Sequence, residues 1–471
     1  MAEFVSAAAL LQQRWGDDWL IGADSQRFWQ AVEARSQQVT QLRQPQVLLA
    51  EADPVLFLAG FMAACRCEAT LFLANPDWQA QEWQQVAQQV GPVQVWGRSP
   101  IAAVQQSSLP MSQIGFRVCI PTGGSSGRIK FAVHTWETLW QAVQGFQQHF
   151  QVASVSTYCT LPLYHVSGLM QALRSFISGG RLVVQPFKSL EQGNRLLANP
   201  ADCFISLVPT QLQRLLNTGE VVADWLGRFQ AVLLGGAPAW PQLLAQARQQ
   251  QIPLALTYGM TETAAQIATL LPAEFFADNT SSGRLLPHAR IEILGKAGSS
   301  LPAGQVGQIA IQARSLHLGY YPHFSSSNSQ PESLSFRPDD LGFLDAAGYL
   351  HVVGRHSDKI ISGGEKVFPA EVEATIRATG LVRDLCVIGL VDPDWGQAVT
   401  AVYVPTQASV SAAAIKRAIA PQLTAYKHPK RWIAVSRLPR SAQGKLNRQE
   451  VISIAQRASH LLALQGASQR S

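Results

Sequence analysis

Charged residues are scarce in this chain of 471 residues, at 14%, and its six cysteines are scattered along the sequence. The sequence has no run of lysines and arginines and no basic stretch interleaved with aromatic residues. The net charge of +6 therefore suits a small anionic ligand, and we expect no nucleic-acid partner. Cys65 and Cys67 form a C-x-C pair without a second pair, which argues against a zinc site.

The sequence also lacks a long apolar run and a basic leader. Its best apolar stretch, VLFLAGFMAAC, is far shorter than the roughly 20 residues that a membrane-spanning helix needs. Its first residues, MAEFVSAAALLQQRWGDDWL, carry acids where a secretory signal is apolar. We therefore expect no integral membrane segment and, with so few cysteines, a cytoplasmic protein. The sequence makes no prediction of the oligomeric state.

Short apolar runs that alternate with amphipathic segments make up most of the chain. AVLLGGAP is typical of a buried strand that runs into a glycine turn, PAWPQLLAQARQQ of the helix behind it, and LALTYGMTET of another strand that ends in a turn. Such alternation predicts an α/β fold with α+β character, in which helices flank packed mixed or parallel β-sheets. Ligands of such sheets bind at the carboxyl ends of the strands.

A change of pattern in GYLHVVGRHSDKIISGGEKVFPAEVEATI predicts a domain boundary. A strand ends at Gly354, a polar joint follows, and Pro369 begins a helix with Val372 and Ile376 on one face. We expect a large N-terminal domain over residues 1–354, a hinge over 355–358 and a small C-terminal α/β domain over 359–471.

Glycine and hydroxyl residues are concentrated in PTGGSSGRIK, which ends in a lysine. The glycines would let consecutive backbone N–H groups converge on an anion, and the hydroxyls and the lysine would add further donors. The spacing matches neither the Walker nor the Rossmann pattern, and the stretch alone fits a surface turn as well as a phosphate loop. The residues of this candidate loop are Thr122, Gly123, Gly124, Ser125, Ser126, Gly127 and Lys130.

The candidate loop resembles the phosphate loop of the adenylate-forming superfamily, which includes acyl-CoA synthetases, peptide-synthetase adenylation domains and luciferases. The family pattern is T-S-G-[ST]-T-G-x-P-K-G, from which this chain departs at Gly123, Ile129 and Phe131. Further motifs resemble those of the family, in the family's order and over nearly the whole chain. They are LLGGAP, TYGMTET, DDLGFLDAAGYL, VVGRHSDKIISGGEKVFPAEVE and LPRSAQGKLNR.

The resemblance implies ATP, Mg²⁺ and CoA as ligands, and it implies a role for each motif. Thr261 would meet the α-phosphate, Glu262 would hold magnesium, and Lys130 and the mobile Lys445 would complete the catalytic set. The implied nucleotide-binding residues are the candidate loop together with Gly235, Gly236, Ala237, Pro238, Tyr258, Gly259, Met260, Asp340 and Arg355. Taken alone, Glu262 also fits an ordinary acid at a helix start, and Asp340 fits a solvated turn.

The resemblance further implies two half-reactions at one site. A substrate carboxylate attacks the α-phosphorus of ATP to give an acyl-adenylate and pyrophosphate, and a thiol then displaces AMP. Related enzymes rotate a mobile C-terminal domain between the two steps, which here implies a hinge at Ser357 and Asp358. After rotation the pantetheine of CoA would lie near the ISGGEK stretch, at Ser362, Gly363 and Gly364.

The expected acyl-binding segments, LPLYHVSGLMQALRSF and SLVPTQLQRLLN, contain no acid that could hold an α-ammonium group. The pair resembles the o-succinylbenzoate–CoA ligases, which implies an aromatic carboxylate with a second carboxyl group as the substrate. The implied substrate-binding residues are His165, Ser167, Gly168, Thr210 and Arg214. His165 also fits a core histidine, and Arg214 fits an exposed helix arginine.

Three other functions stay open on the sequence alone. One is ligation of another aryl or acyl acid to CoA, and the second is a stand-alone adenylation enzyme that loads a carrier protein. The third is an inactive nucleotide-binding regulator, against which the presence of Thr261, Glu262, Asp340 and Lys445 argues.

Overall fold

The computed structural model describes residues 4–42, 45–90, 94–100, 115–123, 128–196, 199–324, 335–440 and 446–468. The chain divides into two compact units. The first unit comprises residues 1–236, 250–291 and 311–336, and the second comprises 237–249, 292–310 and 337–471. The predicted boundary at 355–358 thus lies inside the second unit, and the hinge stays a prediction.

A mixed eight-stranded sheet crosses the described part of the first unit. Its order is β1 (Leu20–Ile21), β8 (Leu182–Val184), β7 (Ser156–Cys159), β9 (Cys203–Leu207), β10 (Ala231–Leu234), β11 (Leu254–Met260), β12 (Ala265–Thr269) and β13 (Arg284–Leu285). The pairs from β1 to β11 are parallel, whereas β12 and β13 run antiparallel to their neighbours. The carboxyl ends of β7, β9, β10 and β11 therefore meet at one edge, which we call the carboxyl edge.

A second sheet of the first unit has seven described strands. Its order is β17 (His323–Phe324), β16 (Gly319–Tyr321), β6 (Ile129–Thr135), β5 (Arg117–Gly123), β3 (Thr70–Leu73), β2 (Gln46–Ala50) and β4 (Gln94–Gly97). The strands from β5 to β4 pair in parallel, and β5, β6, β16 and β17 pair antiparallel. Every residue of β2 and β3 is buried, as expected for parallel strands that are covered on both faces.

Ten helices of the first unit lie in the described ranges. They are α1 (Ala7–Gln13), α2 (Ser25–Thr40), α3 (Pro54–Arg66), α4 (Ala80–Gln89), α5 (Trp136–Phe150), α6 (Val166–Ile177), α7 (Phe187–Glu191), α8 (Pro209–Leu216), α9 (Glu220–Gly227) and α11 (Pro272–Phe276). Local chemistry sets their starts: Asp53 caps α3 ahead of Pro54, and Thr135 caps α5. The largest apolar cluster buries residues of α1 to α3, α5 and α6 with residues of both sheets.

The second unit is built on a five-stranded sheet in its described part. Strand β23 (Gly396–Pro405) pairs with β20 (Ile360–Ser362), β22 (Val382–Asp392) and β24 (Arg431–Ala434), and β20 pairs with β21 (Glu365–Val367). A four-stranded sheet has the order β14 (Ala289–Leu294), β15 (Gly307–Ala313), β18 (Asp340–Leu344) and β19 (Leu350–Arg355). The unit's helices are α10 (Pro241–Gln249), α12 (Pro369–Ala378), α13 (Ala412–Ile419) and α14 (Arg448–Ser468).

The predicted α/β class, with mixed sheets and flanking helices, is confirmed. Val372 and Ile376 of α12 are buried in the apolar core of the second unit, as their spacing predicts. Strand β19 ends at Arg355, one residue later than predicted. No helix in the described ranges is both long and apolar enough to cross a membrane.

Candidate active site

A short 3-10 turn follows β11 at the carboxyl edge and carries two of the predicted catalytic residues. The turn spans Thr261–Thr263, and Glu262 is buried within it. The predicted nucleotide residues Tyr258, Gly259 and Met260 form the last part of β11, where all three are half-buried. The structure therefore places this whole motif at the end of a strand, where ligands of α/β sheets bind.

Lys130 and Thr122 lie on the seven-stranded sheet of the same unit. They are directly opposite each other in the β5–β6 hairpin, and Tyr320 of β16 is opposite Ala132 of β6. Because side chains alternate along a strand, Lys130, Ala132 and His134 share one face with Thr122 and Tyr320. The ammonium of Lys130 lies 5.2 Å from the centroid of the Tyr320 ring, which is a cation–π distance.

Tyr320 connects this face to the 3-10 turn. Its hydroxyl donates a 2.7 Å hydrogen bond to Oε1 of Glu262. Burial, together with this hydrogen bond and the carboxylate charge, raises the pKa of Tyr320, so the phenol stays a donor at neutral pH. A hydrogen bond to a charged partner stabilises by about 1.5–3 kcal/mol. Tyr320 therefore orients one carboxylate oxygen of Glu262 and, among the described residues, leaves the other available to a ligand.

The carboxylate of Glu262 fits the expected magnesium ion. Magnesium prefers hard oxygen ligands, and it is commonly held by one or two carboxylates together with water and substrate phosphates. No group of three or more His, Cys, Asp or Glu side chains in the described residues could enclose a metal ion. The single carboxylate of Glu262 suits a magnesium ion that arrives with the triphosphate.

Predicted residues from three other strand ends lie at the same carboxyl edge. His165 is the residue before α6, which follows β7, and Thr210 lies in the first turn of α8, which follows β9. Gly235 directly follows β10. Since β7, β9, β10 and β11 are adjacent and parallel, the predicted acyl-binding and adenine-binding motifs meet the Thr261–Glu262 turn at one edge of one sheet.

The turn after β10 requires its glycines. A Cβ atom on Gly235 would lie 2.2 Å from Oγ1 of Thr257, and Gly236 has a φ of +78°. A side chain at either position would clash or be strained, so the backbone here can come close to a flat ligand such as adenine. The next two predicted residues, Ala237 and Pro238, are exposed and belong to the second unit.

Arg214, the predicted partner of a second carboxylate, is exposed on α8 and already paired. Its guanidinium forms two hydrogen bonds with Glu191, one of them 2.6 Å from Nε to Oε1, and lies over the ring of Phe187. The surface pair with Glu191 neutralises its charge in this structure. Of the other predicted acyl-binding residues, Ser167 is exposed and Gly168 is buried in the first turn of α6.

A different arginine, Arg174, is buried on α6 and was not predicted. One terminal nitrogen of Arg174 donates a 2.6 Å hydrogen bond to Oε1 of Gln266, and its Nε has no hydrogen-bond partner in the described structure. Burial lowers the pKa of the Arg174 guanidinium to about 9, so it is charged at neutral pH. No acidic side chain in the described ranges pairs with it. A buried cation without a counter-charge is costly and attracts an anionic ligand.

The second unit holds the predicted ribose and hinge residues. Asp340 and Arg355 face each other across β18 and β19, with Nε of Arg355 3.4 Å from Oδ1 of Asp340. Beyond β19, the backbone N–H of Ser357 donates to Oδ2 of Asp339 at 3.0 Å, and Asp358 pairs with Arg448 at 3.4 Å. The predicted hinge therefore has a polar contact on either side of the Ser357–Asp358 peptide.

The predicted CoA segment forms a tight hairpin. Gly363 and Gly364 join β20 to β21, and both have positive φ angles, of 59° and 85°. This is the backbone of a two-residue turn that strongly favours glycine. The hydroxyl of Ser362 is buried without a hydrogen-bond partner in the described structure. The remaining predicted residues Gly124, Ser125, Ser126, Gly127 and Lys445 lie outside the described residues, and Gly123 is the last residue of β5.

Three residues of the site, His134, Arg174 and Tyr320, were not predicted from the sequence. Weak sequence signals existed for the first two. Lys130 and His134 have the even spacing of one strand face, and Ser167 and Arg174 have the i, i+7 spacing of one helix face. Tyr320 carries no such signal, because it lies 58 residues beyond the glutamate that it supports.

Two buried histidines predict that the free energy of unfolding depends on pH. Burial lowers the pKa of His134 to about 3 and that of His288 to about 4, against 6.5 for a free histidine. The unfolded chain therefore binds more protons below pH 6.5, and stability must fall as the pH drops from there toward the folded pKa values. Urea unfolding at pH 7.5, 6.5 and 5.5 should show that His134→Gln reduces the loss of stability between pH 6.5 and 5.5 by about 1 kcal/mol. An unchanged dependence would contradict the neutral buried state of His134.

Comparison with known proteins agrees with this geometry. The model of the AMP-binding enzyme family matches residues 116–321, and that of the AMP-binding enzyme C-terminal domain matches residues 371–445. The 2-succinylbenzoate–CoA ligase of Geobacillus kaustophilus is 34% identical over 70% of this chain and 67% of that protein. The 2-succinylbenzoate–CoA ligase of Enterococcus faecalis is 32% identical over 69% of this chain and 67% of that protein. The structure of o-succinylbenzoate–CoA synthetase from Bacillus subtilis with its acyl-adenylate intermediate has a TM-score of 0.78 at 24% identity, covering 94% of this chain and 97% of that one.

The fold and the strand-end motifs are those of AMP-binding, adenylate-forming enzymes. Within that class, the chain belongs to the family of the 2-succinylbenzoate–CoA ligases. The predicted superfamily and fold are thereby confirmed.

Proposed function

We propose that this protein joins 2-succinylbenzoate to CoA at the expense of ATP, through an acyl-adenylate. The observation that supports the proposal is the meeting of the predicted acyl-binding and nucleotide-binding motifs at one carboxyl edge, beside the Glu262 carboxylate that Tyr320 orients. Relatives that are 32–34% identical are named as ligases of this acid. The proposed location is the cytoplasm, where ATP and CoA are both available.

In the proposed first half-reaction a carboxylate oxygen of the acid forms a bond to the α-phosphorus of ATP, and the bond to pyrophosphate breaks. Negative charge increases on the phosphoryl oxygens, so Lys130 and the hydroxyls of Thr122 and Thr261 would act by positioning and electrostatic stabilisation. A magnesium ion, when bound, would neutralise part of that charge beside Glu262. In the second half-reaction the CoA sulfur attacks the acyl carbon, the thiol proton is lost, and AMP leaves with the former carboxylate oxygen.

We further propose that Arg174 receives the aryl carboxylate of the substrate. Ser167 and Arg174 lie seven residues apart on one face of α6, which corresponds to about 10 Å along the helix from the carboxyl edge into the interior. Arg174 contacts Gln266, which is opposite Gly259 in the β11–β12 pair and therefore close to the nucleotide motif. Both ring nitrogens of the buried His288 also lack hydrogen-bond partners in the described structure. Burial lowers the pKa of His288, and the charge of Arg174 contributes to this shift. These groups would form the polar inner end of the proposed acyl site.

The proposed activity is tested by incubating the purified protein with ATP, magnesium, CoA and a panel of acids. We expect AMP and a 2-succinylbenzoyl thioester to form only when both 2-succinylbenzoate and CoA are present. Turnover of benzoate or a fatty acid but not of 2-succinylbenzoate would favour another acyl-CoA ligase. Adenylate formation that CoA does not resolve into a thioester would favour the loading of a carrier protein.

The role of Arg174 predicts a change in substrate preference. Arg174→Met keeps an apolar side chain of similar length but removes the buried charge. We expect kcat/KM for 2-succinylbenzoate to fall about 10²–10³-fold, since loss of one partner of a buried ion pair costs about 3–5 kcal/mol. For 4-oxo-4-phenylbutanoate, which lacks the aryl carboxylate, kcat/KM should change less than about threefold. The measurement is the ratio of the two kcat/KM values for each enzyme.

Arg214→Gln is the matched control, because it removes an exposed arginine whose charge Glu191 already neutralises. We expect it to leave the ratio of kcat/KM values near that of the unaltered enzyme. A collapse of the ratio in Arg214→Gln, with Arg174→Met unaffected, would assign the aryl carboxylate to Arg214 instead. Equal losses with both acids in Arg174→Met would indicate that Arg174 is structural.

A further inference from the structure

The backbone of the Thr261–Thr263 turn is anchored on three successive carbonyl oxygens. Nε2 of His134 lies 2.8 Å from the Thr261 oxygen. The backbone N–H of His317 donates to the Glu262 oxygen at 2.9 Å, and the hydroxyl of Ser315 donates to the Thr263 oxygen at 2.9 Å. All three anchors come from segments outside the turn, so its position is set by long-range contacts.

The residues that follow the turn explain why such anchoring is needed. Ala264 and Ala265 have φ angles of +50° and +84°, a region that residues with a Cβ rarely adopt. Two consecutive alanines in this region are strained, and a strained backbone persists only where the surrounding structure fixes it. The anchor on Thr263 directly precedes the strained pair, and the anchor on Thr261 lies three residues before Ala264.

The surroundings of His134 fix its protonation state and its tautomer. It is fully buried, and burial, with a smaller contribution from the charge of His317, lowers its pKa to about 3. The ring is therefore neutral at neutral pH and carries a single N–H. Since a carbonyl oxygen only accepts hydrogen bonds, Nε2 must hold that hydrogen, and Nδ1, which lies 3.1 Å from Oγ1 of Thr138, carries none.

We propose that His134 is a positioning residue for the first half-reaction: through its hydrogen bond to the Thr261 carbonyl it holds the strained turn so that the Thr261 hydroxyl and the Glu262 carboxylate face the triphosphate. This inference rests on the proposed function of the turn. His134 reaches the turn from the same face of β6 that carries Lys130, so one strand would position both the cationic and the anionic side of the phosphate site. Tyr320 orients the carboxylate of Glu262, and His134 orients the backbone that bears it.

The test compares His134→Leu, which removes the donor, with His134→Gln, whose side-chain amide can replace it. The first readout is calorimetric binding of an ATP analogue with a methylene group between the α- and β-phosphorus atoms, with and without magnesium. Magnesium should strengthen binding of the analogue by a factor that is at least about tenfold smaller in His134→Leu than in the unaltered protein. His134→Gln should recover most of this magnesium effect. Hydrogen exchange of the amides in residues 261–265 should accelerate in His134→Leu and return toward the original rate in His134→Gln.

Kinetics provide the second readout. In His134→Leu we expect kcat for adenylate formation to fall about 10²-fold while KM for the acid stays within about threefold. Ser36→Ala is a matched control, because Ser36 also donates a buried hydrogen bond to a backbone carbonyl, that of Val32, but within α2. It should change thermal stability without changing the effect of magnesium.

Two results would overturn the proposal. One is a His134→Leu protein that is less stable but binds the analogue with the full magnesium effect, and the other is equal behaviour of the Leu and Gln variants. The binding readout needs no acyl substrate. A failure of the enzyme to use 2-succinylbenzoate, with the magnesium effect still dependent on His134, would reject only the proposed substrate.

Discussion

Glu262→Gln is expected to lower the rate of adenylate formation about 10²–10³-fold, which is the loss that follows when one group that stabilises transition-state charge is removed. Glutamine has nearly the same shape, and its carbonyl oxygen can still accept the hydrogen bond from Tyr320. The 3-10 turn should therefore stay intact, while the negative charge that would hold magnesium is lost. The measurement is the 2-succinylbenzoate-dependent exchange of pyrophosphate into ATP over a range of magnesium concentrations.

Glu274→Gln is the matched control for this prediction. Glu274 also lies in a short helical turn, where its carboxylate accepts a hydrogen bond from the backbone N–H of Leu271. Because a glutamine can make the same bond, we expect less than about a threefold change in exchange and no change in magnesium dependence. Full exchange activity in Glu262→Gln would show that the carboxylate does not serve the metal.

Lys445→Ala is expected to slow the first half-reaction while leaving the second nearly unchanged. The lysine lies outside the described residues, and its role is the one that the motif LPRSAQGKLNR implies. Without a cation between the attacking carboxylate and the α-phosphate, adenylate formation should fall about 10²–10³-fold. Thioester formation from chemically supplied acyl-adenylate should stay within about threefold, since the domain rotation that the family resemblance implies would bring the Gly363–Gly364 hairpin to the adenylate in place of this lysine. Rapid-quench measurements of each half-reaction test this difference.

Lys427 provides the control for the loss of a lysine. Its ammonium pairs with Glu371 at 2.5 Å within the second unit. Lys427→Ala should leave adenylate formation unchanged. If Lys445→Ala slows both half-reactions equally, or slows neither, domain alternation around this lysine is not the mechanism of this protein.

Local patterns predicted the elements that carry the site. The apolar run before Gly235 and the run that ends at Met260 are the strands β10 and β11, and each ends in the expected turn. These features depend on side-chain alternation and on glycine, which act within a few residues. The same local chemistry predicted the start of α12 at Pro369.

Residues that act across long stretches of sequence could not be predicted in this way. Glu191, which forms an ion pair with Arg214, lies 23 residues earlier on another helix. The spacing of residues within α8 therefore could not predict this ion pair. Tyr320 and His134 reach the Thr261–Glu262 turn from strands 58 and 127 residues away. Which polar side chain faces which turn is decided by the packing of the two sheets of the first unit, and periodicity does not encode that packing.

The fate of the carboxylate oxygens shows whether the reaction passes through an acyl-adenylate. The protein is incubated with ATP, CoA and 2-succinylbenzoate labelled with oxygen-18 in its aliphatic carboxyl group, and the products are analysed by mass spectrometry. Attack on the α-phosphorus predicts one labelled oxygen in each AMP and none in pyrophosphate. Unlabelled AMP, or label in inorganic phosphate, would contradict an acyl-adenylate.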